Sequence, residues 1–181
     1  TDYSQGALRE TAGKYDLALS GEGFFAVRQV DKNGNETVKY TRDGNFRLTK
    51  DGYVTDVHGN RLITENGVLQ VPLDSEDISI GIDGTVSVNN QAIDKVKIVD
   101  FENYDYIKKF GDNLYQTVDG ATEKESNAQV LQGYIEQSNV NSVREMVNLI
   151  TITRAYEAGQ KMIQSSDTIM DSAVNSVGRV G

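Results

Sequence analysis

The chain has 181 residues, 18 Lys/Arg against 27 Asp/Glu, a formal charge of −9, a single His (His58) and no Cys. The acidic balance argues against nucleic-acid binding through phosphate neutralisation. The absence of Cys excludes disulfides, thiolate metal ligands and Cys nucleophiles, and one His leaves no His-based zinc cluster. Apolar residues make up 38%, enough for a core, but no unbroken apolar run approaches the ~18 residues of a membrane span, so no membrane insertion is expected. No basic-then-apolar leader opens the sequence, and because residue 1 is Thr the native start is expected to lie upstream.

Residues 1–137 carry 14 Lys/Arg and 23 Asp/Glu, whereas residues 138–181 carry four of each and only one aromatic, Tyr156. This shift places a structural boundary near residue 138. Residues 1–13 are expected to be an extended N-terminal segment, 14–137 a β-domain and 138–181 a helical segment.

In chain order, Asp16-Leu-Ala-Leu19 and Phe24-Phe-Ala-Val27 are short apolar runs separated by Gly21 and Gly23. Six turn dipeptides follow, Asn33-Gly34, Asp43-Gly44, Asp51-Gly52, Asn66-Gly67, Asp83-Gly84 and Asp119-Gly120. Asn-Gly and Asp-Gly supply the positive φ that tight hairpins need, so each is expected to close a hairpin. Residues 37–41, 45–48, 52–55 and 60–63 are strand-like. Ile78-x-Ile80-x-Ile82 and Val86-x-Val88 alternate as half-buried strands do, and Val96–Phe101 forms another. Pro72 suits an edge or a turn. The fold class expected is mainly β, an irregular sandwich or barrel of many short hairpins, with one long C-terminal α-helix.

That helix begins at the capping-box pattern Ser142-Val-Arg-Glu145 and runs without Pro to Val177, interrupted only by Gly159 and stopped by Gly178. Leu149, Tyr156, Ile163, Met170 and Val177 recur every seventh residue, interleaved with Ile152, Gly159, Ser166 and Ala173. Large residues in one row and mostly small ones in the other make a coiled-coil-like seam. Val143, Met146, Val147 and Ile150 lie beside it, so the first turns are apolar over more than half the circumference. At ~1.5 Å per residue the helix is ~54 Å long, while a globule of 137 residues is roughly 37 Å across. The helix therefore calls for partners, and its expected assembly interface is Val143, Met146, Leu149, Ile150, Ile152, Tyr156, Ile163, Met170 and Val177.

The remaining motifs carry no chemistry. Gly21-Glu22-Gly23 lacks the third Gly and the following helix of a dinucleotide fingerprint. Asp31-Lys-Asn-Gly-Asn35 resembles part of a calcium loop, but Arg42 stands where the bidentate Glu belongs, so a solvated hairpin is expected. Asp74, Glu76 and Asp77 read as a charged loop, His58 as an exposed turn residue. Asn35-Glu36-Thr37 matches a glycosylation acceptor without a signal peptide to give it meaning. No nucleophile elbow, Walker loop or zinc-protease helix occurs, so no enzyme and no cofactor are expected.

Three ordered stretches resemble the bacterial flagellar rod and hook protein family. They are Asp16-Leu-Ala-Leu-Ser-Gly-Glu-Gly-Phe-Phe-Ala-Val27; Tyr40-Thr-Arg-Asp-Gly-Asn-Phe-Arg-Leu48 with Asp51-Gly-Tyr-Val54 and Gly59-Asn60; and Gln132-Gly-Tyr-Ile-Glu-Gln-Ser-Asn-Val-Asn141, continued by Glu145-Met-Val147 and Arg154-Ala-Tyr-Glu157. The resemblance implies a structural subunit of the flagellar axis that assembles with copies of itself, with other rod and hook proteins and with surrounding ring proteins. It implies an outer β-domain and an inner tube built from N- and C-terminal helices, the N-terminal one lying before Thr1. Asn139, Asn141 and Ser142 would form the joint between tube and β-domain, and export would proceed without a cleavable signal to an extracytoplasmic basal body. The compact length resembles rod proteins more than the longer hook protein, and Arg154-Ala-Tyr-Glu157 resembles distal-rod members more than proximal ones. The rival reading is a monomeric or trimeric β-module on a coiled-coil stalk, an adhesin or carbohydrate binder. Its aromatic loop cluster is disfavoured by the dispersal of Phe24, Tyr40, Phe46, Tyr53, Phe101 and Tyr115 along the sequence.

Overall fold

The computed structural model describes residues 3–31, 34–75, 77–111, 113–139 and 142–177, with helix side chains described for 146–171. The chain divides into two compact units, Thr1–Asn139 and Val140–Gly181.

The first unit contains the strands. In chain order they are β1 (Leu8–Glu10), β2 (Leu17–Ser20), β3 (Phe24–Val30), β4 (Glu36–Thr41), β5 (Arg47–Leu48) and β6 (Val54–Thr55). Next come β7 (Arg61–Thr64), β8 (Gly67–Val68), β9 (Ile78–Ile80), β10 (Thr85–Val88), β11 (Gln91–Lys95) and β12 (Ile98–Phe101). A 3-10 turn, Tyr104–Tyr106, precedes β13 (Ile107–Phe110), β14 (Leu114–Thr117), β15 (Glu123–Glu125), β16 (Gln129–Gln132) and β17 (Tyr134–Glu136). The largest sheet runs β13-β14-β4-β3-β7-β6-β5, with β12 beside β3, β15 beside β12 and β8 beside β7. A three-stranded sheet β11-β10-β9 and the pairs β1-β17 and β16-β2 complete the unit, and every pairing is antiparallel. The molecule is mainly β as expected, but the barrel alternative is not realised. The sheets stay open, and β13 and β5 end the large one without meeting.

The apolar run Phe24–Val27 explains the layout. One edge of β3 pairs with β4 from Phe25 to Val30, while the other is shared by β12 at Phe24–Phe25 and β7 at Val27–Arg28. Successive side chains of a strand point to opposite faces, so an unbroken apolar run marks a strand covered on both sides. Phe25 and Val27 face one core with Leu17, Leu62, Leu69, Val86 and Val96, and Phe24 and Ala26 face a second with Tyr40, Val99 and Phe101. Ile78, Ile80, Val86 and Val88 bring the three-stranded sheet into the first core, while Ile82 leaves the alternation and is exposed in the β9–β10 turn.

Three hairpins share one set of closing hydrogen bonds between the first, fourth and fifth residues of a five-residue stretch, at Asp31, Gly34 and Asn35, at Thr49, Gly52 and Tyr53, and at Asp56, Gly59 and Asn60. In each, the first N–H donates to the fifth carbonyl at 2.8–2.9 Å and the Gly at the fourth position donates to the first carbonyl at 3.0–3.2 Å. The fifth N–H donates to the first side chain, to Asp31 Oδ1 at 2.8 Å, Thr49 Oγ1 at 3.1 Å and Asp56 Oδ1 at 2.9 Å. The glycines Gly34, Gly52 and Gly59 hold φ of 85°, 81° and 87°, the left-handed position of a three-residue hairpin loop. The Asp31 carboxylate closes its own turn, and its second oxygen accepts from Asn35 Nδ2 at 2.9 Å. His58 is an exposed residue of the third turn.

Two expected hairpins are corrected. Gly44 does not hold a positive φ. It is there because a Cβ would collide with the carbonyl of Leu17, whose N–H donates to Gly44 O at 2.9 Å. Asp119-Gly120 does turn the chain, with Gly120 at φ 97°, but β14 and β15 do not pair with each other, since β15 lies on β12. Conversely, Asn89-Asn90 closes β10–β11 with φ of 50° and 65° at both residues. Asn tolerates the left-handed region, so two in succession build the turn without Gly.

The second unit contains α1 (Ser142–Val177), 36 residues long and unbroken at Gly159. Its threonines fold their hydroxyls back onto the preceding turn, Thr151 to Val147 O at 2.9 Å, Thr153 to Leu149 O at 2.8 Å and Thr168 to Gln164 O at 2.8 Å. These hydroxyls are satisfied internally, so the threonines can lie among apolar neighbours. The side chains of the capping pattern Ser142–Glu145, and Gly178, lie outside the described residues.

Candidate assembly interface

The expected interface residues on α1 are uncovered in the single chain. Met146, Leu149, Ile150, Ile152, Tyr156, Ile163 and Met170 range from 48% exposed at Ile150 to 71% at Tyr156. The side chains of Val143 and Val177 lie outside the described residues. Met162 and Ile169, equally exposed, were not among the expected residues. They repeat at seven with Ala155 one position before the large row, and that spacing is the signal that finds them. The apolar face is wider than a two-row seam. Scattered exposed hydrophobics are normal, whereas a contiguous stripe marks an interaction surface.

Of the expected joint residues, Asn139 donates through Nδ2 to Ser4 O and Ser4 Oγ, both at 3.0 Å. Asn141 and the Ser142 side chain lie outside the described residues. Just before the joint, β1 lies along β17 with Leu8 opposite Glu136 and Glu10 opposite Tyr134. The ends of the β unit therefore run side by side, and Gln137 N–H donates to Ala7 O at 2.8 Å.

Arg42 joins distant segments of the unit through three hydrogen bonds. Arg42 Nε donates to Glu136 Oε2 at 2.9 Å, Nη1 to Gly23 O at 3.0 Å and Nη2 to Gly21 O at 3.0 Å. One side chain thus joins all three stretches that carried the family resemblance. No local spacing signals this, because Arg42 and Glu136 are 94 residues apart.

The aromatics also need correction. Four of those dispersed in sequence gather in space around Tyr3 and Tyr104, with Tyr3 stacked on Tyr104 at 5.1 Å, Phe24 against Tyr115 at 5.3 Å and Tyr40 edge-on to Phe101 at 5.0 Å, whereas Phe46 packs on Phe25 in the other core. Phe24, Tyr40 and Phe101 are buried, so the cluster is a core. Beside it Asp100, almost fully buried, accepts from the Tyr104 hydroxyl at 2.7 Å, from Phe101 N–H at 2.8 Å and from Lys124 at 2.9 Å. Burial alone pushes the carboxyl up, but the Tyr104, Lys124 and Phe101 donors outweigh it and hold it below its ordinary 3.8. A carboxylate held low in the folded state stabilises it above the unfolded value, and that contribution is lost as pH falls through the folded value. Asp100→Asn is therefore expected to lower stability at neutral pH and to flatten the fall in stability below about pH 4. Urea melts at the two pH values measure both effects.

Among the described residues no group of His, Asp and Glu is placed to hold a metal ion. No helix among these residues is long and apolar enough to cross a membrane. The β unit is open and antiparallel, and the long helix that follows it in the chain carries an uncovered apolar stripe.

Residues 18–88 match the family model described as flagellar hook protein FlgE/F/G D1 domain, and residues 131–176 match flagellar basal body rod FlgEFG protein C-terminal. The chain is 36% identical to the flagellar basal-body rod protein FlgG of Buchnera aphidicola subsp. Schizaphis graminum, covering 93% of this chain and 67% of that one. It is 35% identical to FlgF of Caulobacter vibrioides over 99% of this chain and 72% of the relative. Against FlgG of Bacillus subtilis it is 32% identical over 97% and 70%. The chain belongs to the flagellar basal-body rod protein family, a family of structural proteins and not of enzymes. Relatives named FlgG and FlgF match at nearly the same identity, 36% and 35%, so the likeness is to the rod family and not to one member of it.

Proposed function

We propose that this protein is a structural subunit of the flagellar basal-body rod that polymerises through α1 into a hollow axial tube transmitting torque. The observation that carries this is the exposed stripe of Met146, Leu149, Ile150, Ile152, Tyr156, Ile163 and Met170 on a 36-residue helix. A fully buried large apolar side chain contributes ~1.5–3 kcal/mol, so seven together supply of order ten before ordering costs. That suits a permanent assembly. Val143 and Val177 would extend the stripe at its two ends. Residues 138–181 would belong to the inner tube and 14–137 to an outer layer, with Asn139, Asn141 and Ser142 as the joint between them.

The partners are further copies of the chain, other rod and hook proteins and surrounding ring proteins, in the extracytoplasmic part of the basal body. Copies related by a rotation that does not close into a ring form a filament. The test is negative-stain microscopy of the full-length protein at rising concentration. Short tubes or filaments support the proposal, whereas discrete dimers or trimers at every concentration count against it.

A further inference from the structure

The Arg42–Glu136 pair is largely buried, with side chains 14% and 10% exposed. Glu136 divides its two oxygens between two chain segments, Oε2 accepting from Arg42 and Oε1 from Gly6 N–H at 2.7 Å. Gln5 completes the connection, accepting from Gly21 N–H at 3.2 Å and donating to Leu19 O at 2.9 Å. Gly6 fits only because it has no Cβ, which would collide with the carbonyl of Gln137. Thus the N-terminal segment, the loop before β3 and the last strand before α1 all meet around one guanidinium.

The ribbon held there is weak by itself. β1 and β17 make three residue pairs and form a two-stranded sheet of their own. A free two-stranded ribbon is marginal in water. Glu136 ends β17, and the chain continues from it into α1, so the covalent link from the helix enters the β unit at this ribbon. Arg42 follows directly on β4, which pairs with β3 over six residues. A planar fork can hold three acceptors in fixed directions, and a lysine ammonium cannot reproduce it.

We propose that Arg42–Glu136 is a mechanical clamp. It anchors the β1–β17 ribbon to the large sheet, so that load on α1 passes into the β unit instead of peeling the ribbon away. The inference rests on the reading of the chain as a torque-transmitting rod subunit, and its test separates the two.

Amide exchange is measured on the full chain and on Arg42→Lys and Glu136→Gln. In both variants the ribbon amides of Gly6, Thr11 and Gln137 are expected to exchange at least ~10-fold faster, while Leu69 and Lys97, bonded to Leu62 O and Ile63 O inside the sheet, keep the parent rate. An unchanged ribbon, or equal acceleration at all five amides in both variants, overturns the clamp. In cells, either variant is expected to enter rods yet lose rotation selectively in viscous medium. Full rotation at high load overturns the mechanical role and leaves the subunit reading standing. A parent protein that never enters rods overturns the subunit reading, and with it the mechanical role, whatever the exchange shows.

Discussion

Ile163→Asp is expected to abolish assembly and motility while leaving the thermal unfolding of the β unit nearly unchanged. Ile163 lies in the middle of the large-residue row of α1 and is 65% exposed in the single chain. In the isolated subunit the substitution therefore meets water and costs at most ~0.7 kcal/mol of helix propensity. In the tube the same position would be covered by a neighbour. There it forfeits ~1.5–3 kcal/mol of apolar burial and adds an unpaired carboxylate, at several kcal/mol more. The penalty recurs at every subunit, so a polymer feels it far more than a dimer does. Microscopy of the purified variant reads the assembly and a thermal melt reads the β unit. A β unit that unfolds at markedly lower temperature would show that α1 and the sheets share a core, contrary to the two-unit architecture.

Phe24→Ala is expected to destabilise the β unit by ~3–5 kcal/mol, the range for deleting a buried aromatic ring. Phe24 is 1% exposed and lies against Tyr3, Phe101, Tyr104 and Tyr115, with the Arg42 guanidinium 6.0 Å from its ring. Its loss empties the middle of the second core and loosens the seat of Tyr3 together with it. Against a total stability of roughly 5–15 kcal/mol for a domain, the change is large. Val57→Ala, at an exposed turn position, is the control and should stay within about 0.5 kcal/mol. Urea denaturation of the two variants makes the comparison. Near-equal losses would mean that the aromatic cluster is not the core described.

The length of α1, its sevenfold apolar rows, the predominance of short strands and most hairpin turns are already determined by the sequence. Each is a local property, since helical and strand periodicities and the positive φ of a Gly or Asn act within a few residues. The exceptions follow the same logic. Gly44 looks like a turn residue but answers to Leu17, a segment 27 residues away, and Asp119-Gly120 turns toward a strand that is not its neighbour in sequence.

Tertiary structure alone decided that β3 carries a different core on each face and shares one edge between β12 and β7. It also decided that aromatics scattered from Tyr3 to Tyr115 form one cluster, and that Arg42 meets Glu136. Strand register and buried polar pairs are set by which distant segments bury surface against each other, and that choice is made by the sum of the packing, with no signature in the residues on either side.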